Sequence, residues 1–542
     1  MRTNVLIAIA MLGICSTAVA QPSQAVWQAD LGNGTYRNPV LYADYSDPDA
    51  CAVGDDYYLT ASSFQCVPGL PILHSRDLVN WRIIGHALPQ LEPRELFAQP
   101  QHGAAVWAPA IRHNDGRFYI YWGDPDRGIF MVESERPDSG WSRPVCVVEG
   151  RGLIDPCPLW DDDGRCYLVN AWAASRAGFN SVLTMRELSA DGRRAIGLPR
   201  IVFDGGQVNH TTEGPKLYRR DGYYWILCPA GGVAMGWQLA MRSRSVYGPY
   251  EWKRVLWQGR TDINGPHQGA WVHTPYGEDW FLHFNDKGAY GRVVYLQPID
   301  WSSGWPMMGD SGEPYERYRK PKSAESSAAQ PTAPQESDDF NDGRLGLQWQ
   351  WHANYAEAFG FPTADGCMRL YTMAQPSTLW AAPNLLLQKL AAPAFTATAK
   401  VRFSAKQADQ YGGLLLMGRD YSALVVRSTP DRTFLLQQLT CLGADEGQPE
   451  QATTLATLQP TARDTIPYSP ATHIDLFLRA TIADGRCRFA YSTDGRRFRQ
   501  AGEPFTLKEG KWIGAKLGFF AASTVQPGNR GWLDVDWLHI TK

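Results

Sequence analysis

The stretch NDGRFYIYWG (Asn114–Gly123) decides the fold. Its Asp-Gly pair supplies the two positive-φ residues of a tight hairpin turn, and the aromatic-rich run after it suits a strand. The same pattern recurs as VGDDYYLT at Gly54, DDGRCYLVN at Gly164, RDGYYWILCPA at Gly222 and YGEDWFLHFND at Gly277. The five glycines are spaced by 62, 48, 58 and 55 residues, with hardly any helical periodicity between them. Five hairpins at a period of about fifty residues predict an all-β unit, a five-bladed β-propeller.

At 542 residues the chain exceeds one ordinary domain. Near Lys320 the repeat stops, and KPKSAESSAAQPTAPQES, without aromatics, reads as a linker. Beyond it, FTATAKVRF alternates Phe395, Ala397, Ala399, Val401 and Phe403 against polar partners, and HIDLFLRATI does the same from Ile474 to Ile482. YSTDGRRF is a further Asp-Gly hairpin. Alternation over many short strands predicts sheets with one buried face, hence a β-sandwich. The expected layout is a signal peptide at 1–20, the propeller at 21–319, the linker at 320–337 and the sandwich at 338–542.

Arg2, the apolar run VLIAIAMLGI and the small residues Ala18-Val19-Ala20 form an export signal with cleavage before Gln21. The apolar run is too short to span a bilayer comfortably, and Ile14 before Cys15 disfavours a lipoprotein. The mature protein is therefore expected to be periplasmic or secreted, without membrane insertion. A net charge of −3 gives no electrostatic case for nucleic acid. Protein partners cannot be read from the sequence. Ten cysteines become nine after cleavage, scattered and without metal spacing, so most read as buried thiols. The 21 tryptophans suit β-sheets or surfaces for stacking sugars.

Just upstream of each hairpin lie YSDPDACAV, AAVWAPAIRHN, GLIDPCPLWDD, HTTEGPKLYRR and NGPHQGAWVHT. Each holds a proline and one outlier: Asp47, Trp107, Asp155, Glu213 or His267. If these segments lead the innermost strands, the outliers meet at the propeller axis, where packing alone would place small apolar residues. Glycoside hydrolysis needs one protonated carboxyl to donate to the leaving oxygen and one ionised carboxylate to activate water or attack. A third acid holds the donor's pKa up, because like charges resist joint ionisation. Asp47, Asp155 and Glu213 satisfy that count. Asp47-Pro48 and Asp155-Pro156 taken alone are also ordinary turn sequences. His267 fits a hydrogen-bonded core histidine as well as a ligand, and the run Asp161-Asp162-Asp163 reads as a solvated hairpin tip.

Residues 38–88, from NPVLYADYSDPDACAVG to WRIIGHAL, resemble the start of glycoside hydrolase family 43, whose five-bladed propellers remove pentose units. WAPAIRHNDGRFYIYWGD, LIDPCPLWDDDGRCYL, TEGPKLYRRDGYYWI, RSRSVYGPYE and HFNDKGAYGRVVYLQPIDW match it in order. DDFNDGRLGLQWQW extends the likeness to the concanavalin A-like β-sandwich of the β-xylosidase and α-L-arabinofuranosidase members.

The resemblance implies an exo-acting, inverting hydrolase of terminal pentosyl units on hemicellulose-derived oligosaccharides. In it Asp47 is the general base, Glu213 the general acid and Asp155 the residue that tunes the acid. Arg292 contacts substrate, Phe64 and Trp107 are aromatic walls, and His267 helps hold a structural calcium; no cofactor is required for the chemistry. Asp49 stands where the family often has serine, so a second carboxylate competes for the role of base; alternation favours Asp47. HFNDKGAYGRVVYLQP and PAGGVAMGWQ (Pro229–Gln238) look like the branch where arabinofuranosidase activity is frequent. The alternatives are a sugar-binding propeller without catalysis and a retaining, fructosidase-type propeller.

Overall fold

A computed structural model describes residues 25–324, 331–375, 377–463, 471–524 and 528–542. The expected signal peptide lies outside these residues. Five four-stranded antiparallel sheets, each built from consecutive strands, form the propeller. Their first strands are Asp49–Val53, Trp107–Asn114, Leu153–Trp160, Lys216–Arg220 and His267–His273. Each leads into the hairpin expected from the sequence. Asp115 and Gly116, like Asp221 and Gly222, both have positive φ, as the tightest hairpin turn requires. In blade 3 the turn spans Asp161–Arg165; Asp161 is buried and held by Arg219 and Tyr224, while Asp162 and Asp163 face solvent.

No strand is shared between blades, so the ring closes by other means. Thr35–Arg37 pairs with Arg317–Arg319, and Leu41 bridges Val294 of blade 5. The N-terminal segment thus ties the first blade to the last.

The start of every innermost strand carries one repeated backbone device. In blade 2, Trp107 pairs with Gly123, but the next partners are Ala110 and Tyr121, so one extra residue bulges. Blade 3 repeats this between Ile154 and Cys157, and blade 5 between His267 and Gly269. In blades 1 and 4 the Ser62 and Glu213 amides bond the Ser46 and Pro229 carbonyls before the ladders resume at Asp49 and Lys216. The bulged residues are Asp47, Ala108, Asp155, Gly214 and Gln268, with φ of 53°, 31°, 55°, 55° and 33°. Four of the five are followed by proline, which cannot donate to a ladder and so fits a bulge. Side chains with positive φ are uncommon, and holding four of them here stores backbone strain at one end of the axis.

The second domain is a sandwich of two eight-stranded sheets. The alternation seen in the sequence is the packing: Phe395, Ala397, Ala399, Val401 and Phe403, and Ile474 through Ile482 in steps of two, are all buried in one core. Asp338 forms an isolated bridge with Leu538 of the sandwich. The sandwich docks firmly on the propeller. Val67 forms a backbone bridge with Trp351, and the Ala515 amide donates to the Ala289 carbonyl at 2.7 Å. Asp44 joins the domains at the pocket's edge: Oδ1 accepts the Arg292 amide at 2.9 Å and Oδ2 the Gly514 amide at 2.9 Å. Among the described residues the cysteines are unpaired thiols, mostly buried. No helix among them is long and apolar enough to cross a membrane.

Candidate active site

At the bulged end of the axis lies a pocket of about 230 Å³ lined by Asp47, Phe64, Trp107, Asp155, Glu213, Gln268, Arg292 and Trp512, among others. Residues from Asp47 to Arg292 meet there because each blade delivers its bulge to the same ring, and the sandwich adds Trp512. Glu213 is not at the position of the other two acids. Asp47 and Asp155 are themselves the bulged residues, whereas Glu213 precedes its bulge, in register with Ser46, Trp107, Ile154 and His267. The repeat therefore offers two side-chain positions per blade, and the site draws on both.

Asp47 sits among donors. Ser62 Oγ donates to its Oδ2 at 2.6 Å, Ser46 Oγ to the same oxygen at 2.9 Å, and Arg292 Nη1 to its Oδ1 at 2.9 Å. Arg292 also donates to Ser46 Oγ at 2.9 Å, closing the network. Two hydroxyls and a guanidinium suit an anion. Asp49 points away from the pocket and is fully buried: its Oδ2 accepts Arg112 Nη1 at 2.6 Å and the Ile111 amide at 2.8 Å. Both acids of the Asp-Pro-Asp segment are thus placed, and Asp47 alone faces the cavity.

Glu213 has the opposite surroundings. Among the described residues no hydrogen bond reaches its carboxyl; His267 Nε2 lies 3.4 Å from Oε1. Burial first, and then the charge of Asp155, push its pKa well above the ordinary carboxylate range, against a smaller lowering by Arg292. Its side chain is 29% exposed, and that exposure is to the pocket. Asp155 is raised too, by burial and by Asp47, while the Gly214 amide on its Oδ2 at 2.7 Å favours the charged form. That bond ties Asp155 to the backbone beside Glu213. Where one proton must be shared between these neighbours, the carboxyl without donors is the better place for it.

His267 lies beneath Glu213, 1% exposed, with neither ring nitrogen hydrogen-bonded. Burial, with Arg292 nearby, pushes its pKa down to about 3, so it is neutral. Calcium takes six to eight oxygen ligands. The described residues contain no group of three or more His, Cys, Asp or Glu side chains placed to hold an ion. These residues do not form a protein-built calcium cage around His267.

Phe64 and Trp107 meet edge to face at 6.3 Å and form one wall. The sandwich extends it: Trp512 packs against Trp107 at 6.1 Å. Ser46, Ser62, Gln268 and Trp512 were not legible as site residues in the sequence. The serines sit in unremarkable polar runs, and Trp512 lies in another domain. Only a proline two residues past the ladder break, present in four of the five blades, marked the bulges.

Residues 36–306 match the family model for glycosyl hydrolases family 43, and residues 337–541 match the beta xylosidase C-terminal concanavalin A-like domain. A putative beta-xylosidase of Xylanibacter ruminicola is 33% identical over 498 residues, 90% of this chain and 86% of the relative. The chain belongs to glycosyl hydrolase family 43. It is a glycosidase of the xylosidase and arabinofuranosidase type. A family 43 relative named non-reducing end alpha-L-arabinofuranosidase, from Bacteroides ovatus, is 31% identical over 443 residues, 76% of this chain and 80% of its own length. Among solved structures, a mutant of the family 43 protein BlXynB from Bacillus licheniformis superposes with a TM-score of 0.79 at 26% identity, covering 94% of this chain and 99% of that one.

Proposed function

We propose that the protein is an exo-acting, inverting family 43 hydrolase that releases terminal α-L-arabinofuranosyl or β-D-xylosyl units from hemicellulose-derived oligosaccharides. The observation that carries this reading is the contrast between Asp47, surrounded by donors, and Glu213, without one, across a single aromatic-walled pocket. Asp47 takes a proton from water as the water oxygen attacks the anomeric carbon. Glu213 gives its proton to the departing glycosidic oxygen as that bond breaks. Asp155 keeps Glu213 protonated by its charge and positions it through the Gly214 amide. Phe64 and Trp107 face the sugar, and Arg292 holds Asp47 and can reach a substrate hydroxyl. No step is routed through a metal.

Proton NMR of the first-formed sugar tests the mechanism: the inverted anomer is expected, and a retained one means a covalent, fructosidase-type route. A binding-only propeller is disfavoured because all three acids line the pocket; failure to turn over any chromogenic pentoside would restore it. A panel of 4-nitrophenyl pentosides, arabinoxylan, xyloglucan and xylo-oligosaccharides ranks the two pentoses. Export follows from residues 1–20, and a mature N-terminus at Gln21 is the expected result of sequencing the native protein.

A further inference from the structure

Below the acids the same repeat carries a second ring of side chains. Three residues past each ladder break lie Asp49, Ala110, Cys157, Lys216 and Ala270. Arg112 of blade 2 reaches sideways through this layer. Its Nη1 donates to Asp49 of blade 1 at 2.6 Å, and its Nη2 to Cys157 Sγ of blade 3 at 2.8 Å. Cys157 Sγ also accepts the Leu217 amide of blade 4 at 3.2 Å. The guanidinium lies 5.1 Å from the ring of Tyr218, whose hydroxyl accepts the Trp271 amide of blade 5 at 2.9 Å. Lys216 Nζ crosses back to the Pro109 carbonyl at 3.0 Å. One run of polar contacts therefore joins all five blades directly beneath the pocket.

We propose that Arg112, clamped between Asp49 and Cys157, is the positioning residue that fixes the mutual spacing of Asp47, Asp155 and Glu213. No strand ladder links one blade's sheet to the next; backbone contacts between them are short, such as the Phe64–Val106 bridge and the Gly152 amide on the Pro125 carbonyl, so side-chain contacts share in setting the distance between blades. Asp47 and Asp155 face one cavity, and their charges push blades 1 and 3 apart. Arg112 opposes this two residues along the strand from Asp47 and from Asp155, at Asp49 and Cys157. With Asp49 as counter-charge, the clamp adds no net charge to the site. The planar guanidinium serves two acceptors at once, which an ammonium on a flexible stem does not reproduce.

The inference rests on the acid assignment above. In the full-length chain, Arg112→Lys and Cys157→Val are assayed below their melting temperatures on whichever 4-nitrophenyl pentoside the native enzyme turns over. Both should lower kcat by on the order of tenfold to a hundredfold with KM little changed, as expected for a small misplacement of reacting groups. The alkaline limb of kcat/KM should move to lower pH, because Asp155 then crowds Glu213 less. Cys157→Ser keeps an acceptor and should return most of the activity. Unchanged kcat and pH limb with only a lower melting temperature, or Cys157→Ser no better than Cys157→Val, overturns the proposal. Glu213→Gln and Asp47→Asn serve as controls. Full activity in these overturns the acid assignment and the clamp with it, whereas crippled controls beside a native-like Arg112→Lys and Cys157→Val overturn the clamp alone.

Discussion

Ser62→Ala removes a single oxygen that does two jobs. Ser62 Oγ donates to Asp47 Oδ2 at 2.6 Å and accepts the Ala108 amide at 2.8 Å. A hydrogen bond to a charged group contributes about 1.5–3 kcal/mol, and a buried amide left without a partner costs about 1–3 kcal/mol. The two terms share one atom and relax together, so the expected loss of propeller stability is about 3 kcal/mol, not their full sum. At about 2–4 °C per kcal/mol for a domain of this size, the melting transition should fall by about 6 °C or more. If about 1.4 kcal/mol of the bond to Asp47 is realised in the transition state, kcat falls about tenfold. The control is Ser63→Ala. Ser63 Oγ accepts the Leu70 amide at 3.1 Å, and Ser63 is not among the residues lining the pocket. It should lose stability and keep kcat. Calorimetry paired with initial rates decides the matter. Native-like kcat in Ser62→Ala, or an equal loss in Ser63→Ala, would refute the idea that the serine orients the base.

Glu213→Gln should abolish hydrolysis of natural glycosides while sparing aryl glycosides with good leaving groups; equal losses on both count against Glu213 as donor. Because the folded pKa of Glu213 is raised, activity should decline as pH climbs through that value, with an alkaline limb above the ordinary carboxylate range that is absent in the Gln variant. The same shift fixes a sign for stability: the protonated acid is favoured by the fold, its contribution is full below the ordinary carboxylate pKa, and it fades as pH rises through the folded value. Glu213→Gln should therefore melt higher than the native protein at pH 8 and no higher at pH 4. Trp512→Ala removes the sandwich's part of the aromatic wall; aromatic contacts of about 0.5–1.5 kcal/mol predict a loss of about threefold to tenfold in kcat/KM, mostly in KM. Asp44→Ala frees both the Arg292 and Gly514 amides, and limited proteolysis should then separate the domains more readily than in the native chain.

The propeller and the sandwich could be read from local pattern because both are built of repeats that short-range chemistry specifies. Asp115-Gly116 and Asp221-Gly222 adopt the positive φ their hairpins need, and Phe395 to Phe403 bury every second side chain. The three acids could be named because each stands beside or near a proline just upstream of a hairpin, in three of the five repeats. Their placement was coarser: each was read as the outlier of its segment, whereas Asp47 and Asp155 are the bulged residues and Glu213 sits one residue before its bulge. A bulge depends on which partner carbonyl an amide finds, and no spacing in the chain records that.

The sequence by itself determined five aromatic hairpins, a sandwich after a linker, and three carboxylates poised at strand starts, since turn propensity and two-residue alternation act over a few neighbours. Only the tertiary structure decided what surrounds each acid. Asp49 is drawn off by Arg112, Asp47 is ringed by Ser46, Ser62 and Arg292, and Glu213 is left without a donor beneath a wall that Trp512 completes from another domain. The charge state of a carboxyl is set by the atoms within a few ångströms of it, and here those atoms come from remote parts of the chain.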